Sequence, residues 1–137
     1  NAGFLLGMVT NQSVVGRGLA TLEQVNDINS KITDYLAENG LAFEFVLVCP
    51  HSPHDGCDCR KPNIGLGIKA VRDFKLYPEV SYMIGDQESD IVFGKELGCR
   101  VIQVKGNVEK SELSDYYSDN LNSAADWIIN DLRKMGE

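Results

Sequence analysis

Residues 80–104 read VSYMIGDQESDIVFGKELGCRVIQV, and the reading of this stretch decides the fold. Val80-Ser81-Tyr82-Met83-Ile84 is a short β-prone run that stops at Gly85-Asp86. A helix is expected from about Ser89 to Leu97, closing at Gly98, and Arg100 to Val104 is β-prone again. A strand, a helix and a second strand in this order form the βαβ unit of a parallel sheet.

The same alternation continues toward the N-terminus. Phe4 to Val9 is an apolar run ending in Thr10-Asn11-Gln12, which reads as a buried strand with a polar tip. Ser13 to Gly18 reads as a loop. Thr21-Leu22-Glu23-Gln24 fits a capping box, with Thr21 as N-cap and Gln24 at N3. Val25, Ile28, Ile32 and Leu36 follow at helical spacing, with Gly40 placed as a C-cap. Residues 41 to 48 are apolar and β-prone up to Cys49. A helix over about 64 to 74 is expected to turn Ile64, Ile68, Val71 and Phe74 inward. Residues 105 to 120 read as polar and irregular, with Tyr116-Tyr117 as ordinary packing. An amphipathic helix from near Ser123 carries Trp127, Ile128 and Leu132. No repeat, low-complexity tract or linker interrupts the pattern. The expectation is one α/β domain over residues 1–137, a mostly parallel sheet with flanking helices. Three strands end in polar clusters: Thr10-Asn11-Gln12, Cys49-Pro50-His51 and Gly85-Asp86. Ligands of open α/β sheets bind beyond the carboxyl ends of the strands, so these clusters are expected to converge on one edge.

A length of 137 residues with 43% apolar content suits a packed core, about two thirds of the unfolded surface being buried at this size. The net charge of −7 argues against nucleic acid or an anionic membrane as partner. No apolar run reaches the roughly 18 residues of a membrane helix, and no signal peptide is visible, so a cytoplasmic location is expected. No obligate protein partner is implied. The chain opens at Asn1 without a Met and reads as though entered partway through a domain.

Four cysteines are present, three of them close together in Cys49-x-His51-x5-Cys57-x-Cys59. Clustered thiols without a secretory signal favour metal over disulfide, and a bridge between Cys57 and Cys59 would be strained. Three thiolates and an imidazole suit a closed, tetrahedral structural zinc site over about residues 49–59. His54 is the alternative imidazole, and Cys99 reads as a buried core thiol. Arg60-Lys61-Pro62 follows at once. Alone it is a solvated basic dipeptide; beside a zinc staple it reads as two cations fixed to hold a phosphate. Asp86, Glu88 and Asp90 suit a hard cation such as Mg2+, or serve a helix N-terminus through its dipole. At the tip of the first strand, Thr10-Asn11-Gln12 is either a simple turn or a set of uncharged phosphate contacts.

In this order, Val9-Thr10-Asn11-Gln12, Cys49-Pro50-His51 with Cys57-Asp58-Cys59-Arg60-Lys61-Pro62, and Tyr82-Met83-Ile84-Gly85-Asp86 with Asp90 resemble the haloacid-dehalogenase (HAD) phosphatases. The likeness covers about residues 1 to 106, and Cys-Asp-Cys-Arg-Lys-Pro points to their zinc-containing branch, whose substrates are heptose bisphosphate and histidinol phosphate. The resemblance implies a Rossmann-like core, Mg2+ and structural Zn2+ as cofactors, and hydrolysis of a small phosphate monoester. Thr10 would bond the transferring phosphoryl group, and Lys61 would neutralise charge on it. Asn11, Gln12, Arg17 and Arg60 would contact substrate. Asp86 would bind Mg2+, and Asp90 would support that site or its loop.

Three departures qualify the likeness. The opening Asp-x-Asp with Gly-Thr, which supplies the nucleophile and the general acid/base on the first strand, is absent. These 137 residues are therefore expected to be an inactive fragment lacking that strand. Gln87 stands where relatives commonly carry Lys or Arg. The short loop between His51 and Cys57 resembles the histidinol-phosphate enzymes, whereas Val14-Val15-Gly16-Arg17-Gly18 resembles the heptose enzymes. That divides the substrate assignment, with heptose bisphosphate ahead.

Overall fold

The computed structural model describes residues 5–11, 16–38, 43–52 and 56–135. The chain divides into two compact units, residues 3–70 and residues 71–137. Gln12, His54 and Gly40 lie outside the described residues, so their expected roles have no structural counterpart here.

The first unit holds β1 (Leu6–Asn11), α1 (Leu22–Glu38) and β2 (Phe43–Cys49). The strands pair in parallel from Leu6 with Phe43 to Asn11 with Cys49, as a helical crossover requires. The capping box that opens α1 is formed: Gln24 N–H donates to Thr21 Oγ1 at 3.0 Å, and Thr21 N–H to Gln24 Oε1 at 2.8 Å. Among the described side chains of α1, Val25 and Asn29 are buried, whereas Ile28 and Ile32 stand 57% and 44% exposed. Of the apolar positions at helical spacing, Val25 is covered while Ile28 and Ile32 are not. The next helix, α2 (Gly65–Phe74), begins in this unit and buries Leu66, Gly67 and Ala70. Ile68, expected inside, is 53% exposed, because the covered stripe runs through Leu66 and its i+4 neighbour Ala70.

The second unit is built on β3 (Tyr82–Gly85), α3 (Glu88–Leu97), β4 (Arg100–Val104), β5 (Tyr116–Ser118) and α4 (Leu121–Met135). A short 3-10 turn at Pro78–Val80 takes the place of the strand's expected start. β3, β4 and β5 form a parallel sheet with β4 in the middle. The helix α3 ends where expected, on Gly98 in the left-handed conformation at φ 98°. Gly94 lets this helix approach the sheet: a Cβ there would lie 2.6 Å from Val101 Cγ2 and 2.7 Å from Met83 Cβ. Ile91, Phe93, Val101 and Ile102 are fully buried. Each such side chain contributes about 1.5–3 kcal/mol by leaving water. On the other face Ile102 meets Ala124 and Ile128 of α4, with Tyr116 stacked on Trp127 at 5.0 Å.

β5 lies inside the stretch expected to be irregular. Three residues are too few for a pattern to show. Pairing with β4 and the Tyr116–Trp127 stack, both tertiary, hold the strand in place. No helix among the described residues is long and apolar enough to cross a membrane.

Candidate functional site

In the first unit the carboxyl ends of β1 and β2 lie side by side, since Asn11 pairs with Cys49. Cys49 is fully buried at the end of β2, and the chain then turns so that His51, Cys57 and Cys59 reach the same point. Cys49 Sγ lies 3.5 Å from His51 Nδ1, 3.5 Å from Cys57 Sγ and 3.0 Å from Cys59 Sγ. His51 Nδ1 is 3.1 Å from Cys59 Sγ, and all four ligand atoms fall within 4.8 Å of one another. Sulfurs about 2.3 Å from a tetrahedral zinc sit roughly 3.8 Å apart, so the donor set and its spacing fit that ion. Burial pushes the Cys57 thiol up, but hydrogen bonds from Cys49 and from the Arg60 and Cys59 backbone outweigh it and bring it down to about 7. Burial and the adjacent Cys49 and Cys57 push Cys59 up to about 12. Three thiols this close cannot all ionise unless a cation sits among them.

The zinc-fitting loop runs directly into the two cations. Lys61 N–H donates to Asn11 Oδ1 at 3.0 Å, and Asn11 Nδ2 donates to the Lys61 carbonyl at 3.3 Å. The Lys61 ammonium donates to the Val9 carbonyl at 2.9 Å. Asn63 closes the turn, its backbone N–H reaching the Arg60 carbonyl at 2.8 Å and its amide the Cys57 carbonyl at 3.0 Å. Arg60 is half-buried, and its Nη1 is buried with no hydrogen-bond partner among the described residues. Arg60, Lys61, Cys57 and Asn63, with Ser52 and Gly56, line a cleft of about 210 Å³. Arg60 and Lys61 thus put two cations on the lining of one cleft, which suits an anion there.

Thr10 is half-buried on β1, next to Asn11. Arg17 is exposed, one residue beyond a close backbone contact: a Cβ on Gly16 would lie 2.3 Å from Ser52 N. The Gly16–Gly18 turn therefore rests on the segment carrying Pro50 and His51.

In the second unit Asp86 is exposed at the end of β3. Asp90 is buried and is the N3 residue of a capping box, its Oδ2 accepting the Gln87 N–H at 3.2 Å. The helix starts at Glu88, so Asp86 precedes the N-cap and, though four residues from Asp90, does not share a helical face with it. Asp90 instead folds against Gly85, where a Cβ would lie 2.4 Å from its own Cβ. Gly106 closes on Asp86 from another side, with an added Cβ 3.1 Å from Asp86 Oδ2. An exposed carboxylate on a fixed backbone suits Mg2+, which keeps several waters and takes one or two protein carboxylates.

Sequence reasoning did not single out Gln103. It is 0% exposed on β4, donates to the Glu109 carbonyl at 2.9 Å and accepts the Ser111 N–H at 2.7 Å. Ser111 in turn donates to Glu88 at 3.2 Å. Gln103 thus holds the 105–111 segment that seats Gly106 on Asp86. The signal was there: an amide inside the apolar run Arg100–Val104 must find partners when buried.

The chain is similar to known hydrolases. A family model described as HAD-hydrolase-like matches residues 58–135. A probable D-glycero-D-manno-heptose-1,7-bisphosphate 7-phosphatase of Thermoplasma volcanium is 38% identical over 96 residues, covering 69% of this chain and 66% of the relative. The D-glycero-beta-D-manno-heptose-1,7-bisphosphate 7-phosphatase of Yersinia pestis is 32% identical, over 97% of this chain and 71% of its own length. The histidine biosynthesis bifunctional protein HisB of Actinobacillus pleuropneumoniae is 36% identical over 70% of this chain but only 27% of its own length. The crystal structure of a D,D-heptose 1,7-bisphosphate phosphatase from B. bronchiseptica, complexed with magnesium and phosphate, superposes with TM-score 0.85 and 28% identity, over 95% of this chain and 76% of that one. The chain thus spans roughly two thirds to three quarters of these heptose relatives.

Proposed function

This chain belongs to the HAD-like hydrolase family, and from that premise we propose that it serves the Mg2+-dependent hydrolysis of a small sugar phosphate monoester, its two units being parts of one domain. The substrate that the relatives favour is D-glycero-D-manno-heptose 1,7-bisphosphate, cleaved at the 7-phosphate. Histidinol phosphate is the second reading; the five-residue loop between His51 and Cys57 and the HisB relative speak for it.

The observation that carries the reading is the Arg60-Lys61 pair. Lys61 is held by its backbone and its ammonium, and it lines one cleft together with the half-buried Arg60. In the proposed mechanism Thr10 donates its hydroxyl to a phosphoryl oxygen. Lys61 offsets the charge that builds on that group, a contribution made by positioning rather than by covalent chemistry. Arg60, Arg17 and Gln12 bind and orient the ester. Asp86 would hold Mg2+, which when bound counters phosphate charge. Asp90 keeps the Asp86 loop on the helix start. Cys49, His51, Cys57 and Cys59 would hold a structural zinc that fixes the segment leading into Arg60.

No Asp-x-Asp occurs in these 137 residues, so the carboxylate nucleophile of the family's reaction is not among them. The test has two parts: the coding sequence ahead of Asn1, and a panel of phosphate esters given to the protein that carries both. An in-frame Asp-x-Asp-Gly-Thr with phosphate released from the 7-position of heptose bisphosphate supports the proposal. Release from histidinol phosphate alone moves it to the second reading. No release from any ester by a protein carrying the motif refutes it.

A further inference from the structure

We propose that Asn11 is a positioning residue for Lys61, its amide pairing with the Lys61 backbone so that the ammonium is delivered to the Val9 carbonyl, two residues before the end of β1. The inference rests on the phosphate-binding role given to Lys61 above. Asn11 is the last residue of β1 and pairs in the ladder with Cys49, a member of the Cys/His set. Its Oδ1 accepts the Lys61 N–H at 3.0 Å while its Nδ2 donates to the Lys61 carbonyl at 3.3 Å. One side-chain amide thus matches both backbone groups of one residue, as the next rung of a ladder would. The Lys61 side chain then runs back along the strand to the Val9 carbonyl, 2.9 Å from its ammonium. Val9 and Asn11 are two residues apart on β1, a distance of about 6.6 Å that a lysine stem can cover. The strand therefore holds the lysine at both ends.

Only an amide does this work at that position. The N–H needs an acceptor and the carbonyl needs a donor, and both must come from a short side chain. Aspartate keeps the acceptor but turns a second oxygen onto the Lys61 carbonyl. Alanine supplies neither. Asn11 acts through Lys61, so its loss should weaken phosphate binding while leaving the metal-binding cluster assembled.

The experiment uses the whole chain loaded with zinc and compares the original protein with Asn11→Ala, Asn11→Asp and Lys61→Met. Three quantities are read: affinity for inorganic phosphate in the presence of Mg2+ by calorimetry, bound zinc, and the lysine ammonium signals in 1H–15N NMR. Lys61→Met identifies the Lys61 signal by its disappearance and weakens phosphate binding by tenfold or more. Asn11→Ala should retain one zinc, weaken phosphate about tenfold, and lose the Lys61 signal to solvent exchange. Asn11→Asp should weaken phosphate at least as much. Affinity within twofold of the original in both Asn11 variants, with the Lys61 signal in place, overturns the proposal. Loss of zinc in both variants also overturns it, because Asn11 would then be holding the loop rather than the lysine. An unchanged affinity in Lys61→Met overturns the role of Lys61 itself, an outcome distinct from the failure of Asn11.

Discussion

Replacing Gln103 by Leu tests whether one buried amide on β4 holds the segment that backs Asp86. The change roughly keeps the side chain's bulk and removes two hydrogen bonds, at 2.9 Å to Glu109 and 2.7 Å from Ser111. The two losses are unequal. Glu109 is exposed, so its carbonyl turns to water at little cost. Ser111 is buried, and its stranded N–H costs about 1–3 kcal/mol. Adding roughly 0.5–1 kcal/mol for the bond to Glu109 gives a destabilisation of about 1.5–4 kcal/mol. Trp127 is the single tryptophan of the chain and is stacked on Tyr116 in the second unit, so its fluorescence follows that unit's urea unfolding. With a slope of about 1–3 kcal/mol per molar urea, the midpoint should fall by roughly 1 M at unchanged slope. Amide exchange at Ser111 should quicken, and Mg2+ should bind more weakly as Gly106 loses its seat on Asp86. A midpoint shift under about 0.3 M with Ser111 still protected would falsify the reasoning.

Metal analysis should find close to one zinc per chain, and Cys57→Ser or Cys59→Ser should release it; a folded, reduced sample without zinc excludes the site. Thr21→Ala removes the N-cap of α1 and should cost about 1 kcal/mol in chemical unfolding followed by circular dichroism; no measurable change would sink the cap's role. Burial pushes the Asp115 carboxyl up, but the Lys95 ammonium at 2.6 Å and the Val101 N–H at 2.7 Å outweigh it and hold the group below the usual carboxylate range. Its folded value is depressed, so its stabilisation is present above the unfolded carboxylate pKa and is lost as pH falls through the folded one. Asp115→Asn should flatten the acid limb of the stability–pH curve, and an unaltered limb contradicts the assignment. The 137 residues alone should release no phosphate from any ester, and clear turnover would show that a nucleophile other than Asp-x-Asp is at work.

What could be read from the sequence was local. The Thr21–Gln24 box, the Gly98 cap and the spacing of Cys49, His51, Cys57 and Cys59 each place their partners within a few residues, and each is formed. What could not be read depends on which neighbour covers a surface. Ile28, Ile32 and Ile68 follow helical spacing as well as the residues that are buried, and nothing local says which stripe meets a sheet. β5 draws its support from β4 and Trp127, which lie outside its own three residues. Asp90 carries both meanings an acidic residue can have near a helix start. The geometry uses it to cap α3, whereas Asp86 stays exposed ahead of the helix.

Lys61 explains why a zinc-fitting cluster and an asparagine should both matter to a phosphate site. A lysine has a long, flexible stem, and fixing it costs up to about 2 kcal/mol of rotamer freedom. If that cost falls at the moment a phosphate binds, affinity is lost; if the fold has already met it, the ammonium acts at full strength. The segment from Cys59 to Lys61 is short, so a metal at Cys57 and Cys59 restrains one end of it and Asn11 restrains the other. Either restraint alone leaves the segment a pivot. The two losses should therefore be coupled rather than additive. Once zinc is released, Asn11→Ala should change phosphate affinity less than it does in the zinc-loaded chain, and equal changes in both states would show that the two anchors work independently.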